Sequence, residues 1–216
     1  MHGEERVLKF SFDSQSQMAS PTLIEIKKKM ESVYNELDIK FVTEDIPISR
    51  SLQLADDGVI DGELFPRSSR IEEKTKNLLR IPVLVFKGHI YLLGIHSDPN
   101  KALKKDLKKA RFVHIRGHLS AVTYLKTEHL KNITEVNSFA QAVKMLKTKR
   151  ADYTFVLEPK ESILNSPNKE LFKSDAIHVS HSPVFSMDMY FFLHKKNQDL
   201  IEKITKKLKP KFKENI

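Results

Sequence analysis

The spacing of apolar positions changes period several times along the chain, and each change predicts an element. Leu8, Phe10 and Phe12 alternate with Lys9 and Ser11, the period of a half-buried strand, and a polar loop from Asp13 to Ser20 follows. Ser20-Pro21 is a helix-start signal, and Leu23, Ile26, Met30, Val33 or Tyr34, and Leu37 then recur at intervals of three and four. Ile39 to Val42 predicts a second strand. Ser49 is positioned to cap a short helix that stops at Gly58, and Val59 to Phe65 contains a third strand. Two β-α-β units in succession imply a parallel sheet covered by helices.

From Ile81 to Ile95 two apolar stretches are split by Lys87-Gly88-His89, the pattern of a tight hairpin or of one long strand leaving the first lobe. After a lysine-rich span, strand and helix alternate again. The strands are expected at Arg111 to Arg116, Ile133 to Val136 and Tyr153 to Leu157, and the helices at Leu119 to Leu130 and Phe139 to Leu146. Ser138 with Gln141 three residues later is a capping-box pattern. Ile177 to Val179, an apolar run from Met187 to Leu193, and a helix with Leu200, Ile201, Ile204 and Leu208 on one face close the chain. The economical reading is two α/β lobes joined by two crossing segments.

Composition narrows the chemistry. The 216 residues include no cysteine, which removes disulfides, thiolate metal sites and a cysteine nucleophile. No apolar run approaches the roughly 18 residues of a spanning helix. The first six residues lack a charged-then-apolar signal, although a chain whose signal had been removed would read the same. The net charge is +9, but eight lysines between Lys195 and Ile216 supply most of it, so the charge is largely one helix face. Six glycines leave little room for phosphate-cradling loops, and none of the nucleotide-binding or nucleophile-elbow motifs occurs.

Asp61-Gly62-Glu63-Leu64-Phe65, then Leu79-Arg80-Ile81-Pro82, then Ala142-Val143-Lys144-Met145-Leu146 leading to Arg150-Ala151-Asp152, follow this element order from about Arg6 to Leu208. In these motifs the chain resembles the periplasmic solute-binding proteins of type II fold, the class that captures polar amino acids for ABC transporters. The resemblance implies an α/β fold of two lobes, each a mainly parallel sheet flanked by helices, joined by two crossing strands. It puts the first lobe at residues 1–95 plus 186–216 and the second, inserted, at 96–185. It further implies hinge closure on a small polar or anionic ligand such as an amino acid or organic acid, for uptake or sensing. An ABC transporter permease or a membrane sensor would be the partner of a monomer with no cofactor, metal or nucleic acid. A periplasmic or extracellular location follows if a signal segment was removed.

Ligands of open α/β sheets bind beyond the carboxyl ends of the parallel strands, and the candidate contacts are sought there. Amino-acid binders of the family carry a Thr or Ser and, three residues on, a carboxylate-gripping Arg after the third strand. Here those places hold Arg70 and Glu73, so the expected clamp is missing. Arg67-Ser68-Ser69-Arg70 offers two guanidinium groups and two hydroxyls in the same loop; the alternative is a solvated basic loop paired with Glu72 or Glu73. Gly117, His118 and Ser120 sit between a strand and a helix, where free amides bind anions. The plain alternative is a turn at Gly117 with Ser120 as a cap. Asp13, in the loop where the family provides polar contacts, and Glu158, one place beyond its acidic position, would meet a cationic group.

Two other classes compete with solute capture. The same fold hosts dehydratase-like enzymes, for which Glu63 or Glu158 would be the general acid. A degenerate member would instead hold another macromolecule on the basic C-terminal helix. His114 and His118 have a metal-like spacing, but Gly117 between them argues for a turn.

Overall fold

The computed structural model describes residues 6–12, 21–103, 107–157, 170–171 and 176–212. The chain forms two compact units, Met1–Lys87 with Met187–Ile216, and Gly88–Ser186, so it passes between them twice. Both passages lie inside strands, at Lys87/Gly88 and Ser186/Met187, so the first falls earlier than residue 95. Leu93 and Ile95 are buried in the core of the second unit.

In the first unit the strands β1 (Arg6–Ser11), β2 (Ile39–Glu44) and β3 (Gly62–Ser68) are parallel in the order β2-β1-β3. The helices α1 (Pro21–Asn35) and α2 (Ile48–Asp56) connect them. Helix α2 is preceded by Pro47 and has no side-chain cap, so Ser49 lies in its first turn instead of capping it. Beyond β3, the late strand β10 (Phe185–His194) runs antiparallel, and β4 (Leu78–Arg80) pairs with its other edge. Leu8, Phe10 and Ile39 turn one face of the sheet onto Ile26, Met30, Val33 and Tyr34 of α1. Ile204 and Leu208 of the terminal helix (Ile201–Leu208) join the same core, and Glu36 takes Lys207 at 3.3 Å and Lys211 at 2.8 Å. Two of the tail's lysines are therefore surface pairs on the first unit, each a small contribution to stability.

The second unit repeats this plan. Strands β6 (Phe112–Ile115), β7 (Ile133–Val136) and β8 (Tyr153–Val156) are parallel in the order β7-β6-β8. Their connecting helices run from Leu119 to Thr127 and from Phe139 to Lys147. Strand β5 (Phe86–Gly94) is antiparallel to β8, and the two-residue β9 (His178–Val179) adds to it. Lys87-Gly88-His89 is thus the interior of one long strand and not a hairpin. The capping box forms with a shifted return bond. Ser138 accepts from the Gln141 amide at 3.3 Å, whereas Gln141 Oε1 accepts from the Asn137 amide at 2.8 Å, one residue before the cap.

Equivalent carboxylates hold the amino-terminal edges of the two sheets. Asp61 accepts the Lys9 amide at 2.8 Å and returns its own amide to the Lys9 carbonyl at 2.8 Å. Asp152 does the same with Arg111, at 2.8 Å in both directions, and also takes the Arg111 guanidinium. Asp61 further receives the Asn197 amide at 2.8 Å and the Lys196 ammonium at 3.0 Å, which ties the start of β3 to the segment after β10. Next to it, a side chain at Gly62 would meet the Phe192 carbonyl at 2.5 Å and the Phe10 ring at 2.9 Å. Only glycine lets these strands approach so closely.

Burial pushes the Asp61 carboxyl up, but the Lys9 amide, the Asn197 amide and the Lys196 ammonium outweigh it and hold it below its ordinary value of 3.8. A lowered native value means stability that is present above the ordinary pKa and lost as pH falls through the native one. Asp61→Asn should therefore cost roughly 1–3 kcal/mol at pH 7, with the gap to the parent chain narrowing below about pH 4. Urea unfolding at pH 7 and pH 3 reads both values, and a gap independent of pH would refute the carboxylate's part.

Candidate functional site

The carboxyl ends of the first unit's strands gather Ser11 of β1 with Phe12 just after it, Glu44 from β2 and the far half of β3. The Phe12 amide donates to the Glu44 carbonyl at 2.8 Å, and the Lys27 ammonium lies over the Phe12 ring at 4.8 Å. Strand β3 outruns β1: Ser11 is level with Glu63, so Leu64 to Ser68 extend beyond the β1 end. Arg67 and Ser68 are therefore in a strand, and Ser69 and Arg70 open a 3-10 turn (Ser69–Glu73), in place of the single loop expected from the sequence.

The pairing of β3 with β10 decides where Arg67 points. Tyr190 is opposite Arg67 and Phe192 is opposite Glu63, so two steps on β10 span four on β3. The excess forms a bulge at Leu64-Phe65-Pro66, where Pro66 has no amide to give to the ladder. Glu63 and Arg67 then meet side by side. Arg67 Nε donates to Glu63 Oε2 at 2.9 Å and Nη2 to Oε1 at 2.7 Å. Nη2 also reaches Ser51 Oγ at 3.2 Å and the Ile48 carbonyl at 3.3 Å, and the Ser51 hydroxyl donates a short hydrogen bond to Glu63 Oε1. The Phe65 ring lies 5.2 Å from the guanidinium.

Only 4% of the Arg67 side chain and none of that of Glu63 is exposed. Arg67 is thus neither a solvated loop residue nor the partner of Glu72, which instead pairs with Arg80 at 3.2 Å. Arg70 is exposed, and Ser68 and Ser69 are half-buried. The sequence reading missed Ser51 and the Glu63–Arg67 pairing. A residue spacing of four does not bring strand side chains into contact unless a bulge intervenes, and Pro66 is the one signal of that bulge.

In the second unit the carboxyl end of β6 turns at Gly117, whose φ of +86° is the left-handed conformation that glycine adopts without strain. His118 follows as the residue before the nine-residue helix, with no side-chain cap bond, and Ser120 lies in the first turn and not at the cap. Gly117, His118 and Ser120 are all half-buried. The Arg116 amide donates to the Val136 carbonyl at 2.8 Å and its guanidinium to Glu135 at 2.9 Å, which anchors the turn to β7. His114 is buried in β6 with Nδ1 3.1 Å from the Ile115 carbonyl oxygen, one turn away from His118 in sequence but in a different element. Asp13 and Glu158 lie outside the described residues.

No protein-family model and no curated protein matches the sequence. Solved structures do match the fold. The amino acid ABC transporter substrate-binding protein AbpA from Streptococcus pneumoniae, bound to L-arginine, superposes with a TM-score of 0.73 at 12% identity, over 96% of this chain and 89% of that one. The GluR0 ligand-binding core with L-glutamate gives 0.73 at 16% identity, over 98% and 95%. A putative L-cystine ABC transporter protein from Listeria monocytogenes gives 0.68 at 18% identity, over 94% and 89%. The chain has the type II fold of periplasmic binding proteins.

The buried pair makes an energetic prediction. Arg67→Ala leaves Glu63 as an uncompensated buried carboxylate and should cost about 3–5 kcal/mol, whereas replacing both Glu63 and Arg67 by methionine should return the chain to within about 2 kcal/mol of the parent. Urea unfolding of the single and double variants measures this coupling; additive losses would show that the two side chains do not act as a pair.

Proposed function

We propose that the protein is a solute-binding protein, capturing a small polar molecule without transforming it, for uptake or sensing. The observation that carries this reading is the type II fold across nearly the whole chain, together with polar donors at the carboxyl ends of the parallel strands in both units. That edge is where open α/β sheets hold ligands, because strand ends, helix starts and loops meet there with backbone groups still to be satisfied.

In the first unit the contacts would come from Ser68, Ser69 and Arg70, with Arg67 behind them. In the second they would come from Gly117, His118 and Ser120. Asp13 and Glu158 would meet a cationic group. A small-molecule ligand with a transporter permease or membrane sensor as partner belongs to the same reading, as does a periplasmic or extracellular location. Among the described residues no helix is long and apolar enough to cross a membrane.

Thermal melting against a panel of amino acids, di- and tricarboxylates, short peptides, sugars and nucleotides tests the reading. A solute at about 100 times its dissociation constant stabilises by roughly 2.7 kcal/mol, a shift of the order of 5–10 °C for a chain of this size. A selective shift is expected, and no shift from any class would sink the proposal. Arg70→Ala should weaken a hit by about 10- to 100-fold, the worth of a charged hydrogen bond, while the unliganded midpoint stays close to the parent's.

A further inference from the structure

The arrangement around Arg67 bears on which solutes the first unit accepts. A guanidinium grips a carboxylate bidentately through one of two edges, the side-on pair of Nε and one terminal nitrogen, or the end-on pair of both terminal nitrogens. Glu63 holds the side-on edge with both oxygens, at 2.9 and 2.7 Å. The end-on edge needs the second hydrogen of Nη2, and this nitrogen is also within hydrogen-bond distance of the Ile48 carbonyl and Ser51 Oγ. A solute carboxylate on the end-on edge would therefore have to take Nη2 from Ile48 and Ser51, and one on the side-on edge would have to evict Glu63. Eviction would strand a carboxylate whose side chain has no exposed surface, and the Ser51 hydroxyl alone would remain to stabilise it.

We infer that Glu63 fills, from within the chain, the carboxylate seat of Arg67, so that this guanidinium is a positioning residue and any carboxylate of a captured solute is met elsewhere. The pair is electrically balanced, and it fixes the first turn of α2, through Ile48 and Ser51, against the far half of β3. The solute group that reaches this edge is then received by the Ser68 and Ser69 hydroxyls and by Arg70. Its consequence for selectivity rests on the solute-binding reading; the filled seat itself does not.

The test is chemical rescue of Glu63→Ala. This substitution removes the carboxylate and leaves a space of the size of acetate beside Arg67. Acetate at pH 7 should raise the melting midpoint of Glu63→Ala by the order of 3 °C over chloride at equal ionic strength, and leave the parent chain and the Glu63→Ala/Arg67→Met double variant unmoved. Equal midpoints in the two salts would overturn the inference. If Glu63→Ala does not fold in chloride, refolding from urea reads the same seat. Recovery only with acetate supports the inference, and failure in both salts overturns it.

The solute panel separates the two claims. A carboxylate solute whose effect on the parent chain survives in Arg70→Ala and in the Ser68→Ala/Ser69→Ala double variant but is lost in Arg67→Gln would overturn the filled seat while upholding solute capture. Acetate rescue with an empty panel would uphold the seat and sink solute capture.

Discussion

The carboxylate of Asp61 gathers backbone and side-chain donors from two separate passages of the chain: the Lys9 amide in β1, and the Asn197 side-chain amide with the Lys196 ammonium beside it after β10. Arg6 extends the same network, donating to Asn197 at 2.8 Å and to Asp199 at 3.0 Å. A short side chain that accepts several strong bonds while largely buried fixes the register of β1 against β3, because slipping one residue would leave the carboxylate buried without donors. Gly62 reinforces the constraint from the other side, since the space between Phe10 and the Phe192 carbonyl admits no side chain. The register of Glu63 on the same strand follows from these two positions, whereas that of Arg67 also needs the bulge. Asp152 plays the equivalent part for β6 and β8, so one chemical device sets both sheets.

The two ends of each sheet have different tasks. The segments that made the sequence resemble a solute-binding family, Asp61-Gly62 and Ala151-Asp152 with the helix before it, act at the amino-terminal edges and hold strands together. The candidate ligand contacts lie at the opposite, carboxyl-terminal edges. This division lets the residues at the carboxyl-terminal edges vary without loss of the type II fold. Strand-start carboxylates are constrained by backbone pairing, whereas half-buried or exposed edge residues such as Ser69 and Arg70 are less constrained by the fold.

The pair of Glu63 and Arg67 lies where the two demands meet. Desolvating both ions is costly, and their mutual attraction together with the Ser51 and Ile48 contacts offsets that cost only while both are present. Such a pair contributes less to net stability than to geometry: it holds the start of α2 and the bulged part of β3 in one arrangement. The bulge itself depends on Pro66, which has no amide for the ladder, and on β10 resuming its pairing at Tyr190.

Much of the architecture was legible because it depends on periodicity and on local backbone chemistry. The period-two run at Leu8 to Phe12, the three-and-four spacing from Leu23 to Met30 and the Ser138 cap are properties of short segments, and the structure forms each of them. Two local expectations differed. Ser49 yielded the cap position of α2 to Pro47, and Ser120 yielded that of its helix to His118, because each helix begins two residues sooner than a cap at those serines would allow. The sequence by itself determined the α/β alternation and the two-unit plan. The tertiary structure alone decided that Arg67 faces Glu63 and Ser51 in the interior while Arg70 faces solvent. That choice depends on a bulge and on the register of β10, whose residues are more than a hundred positions away, and no local pattern encodes pairing at that distance.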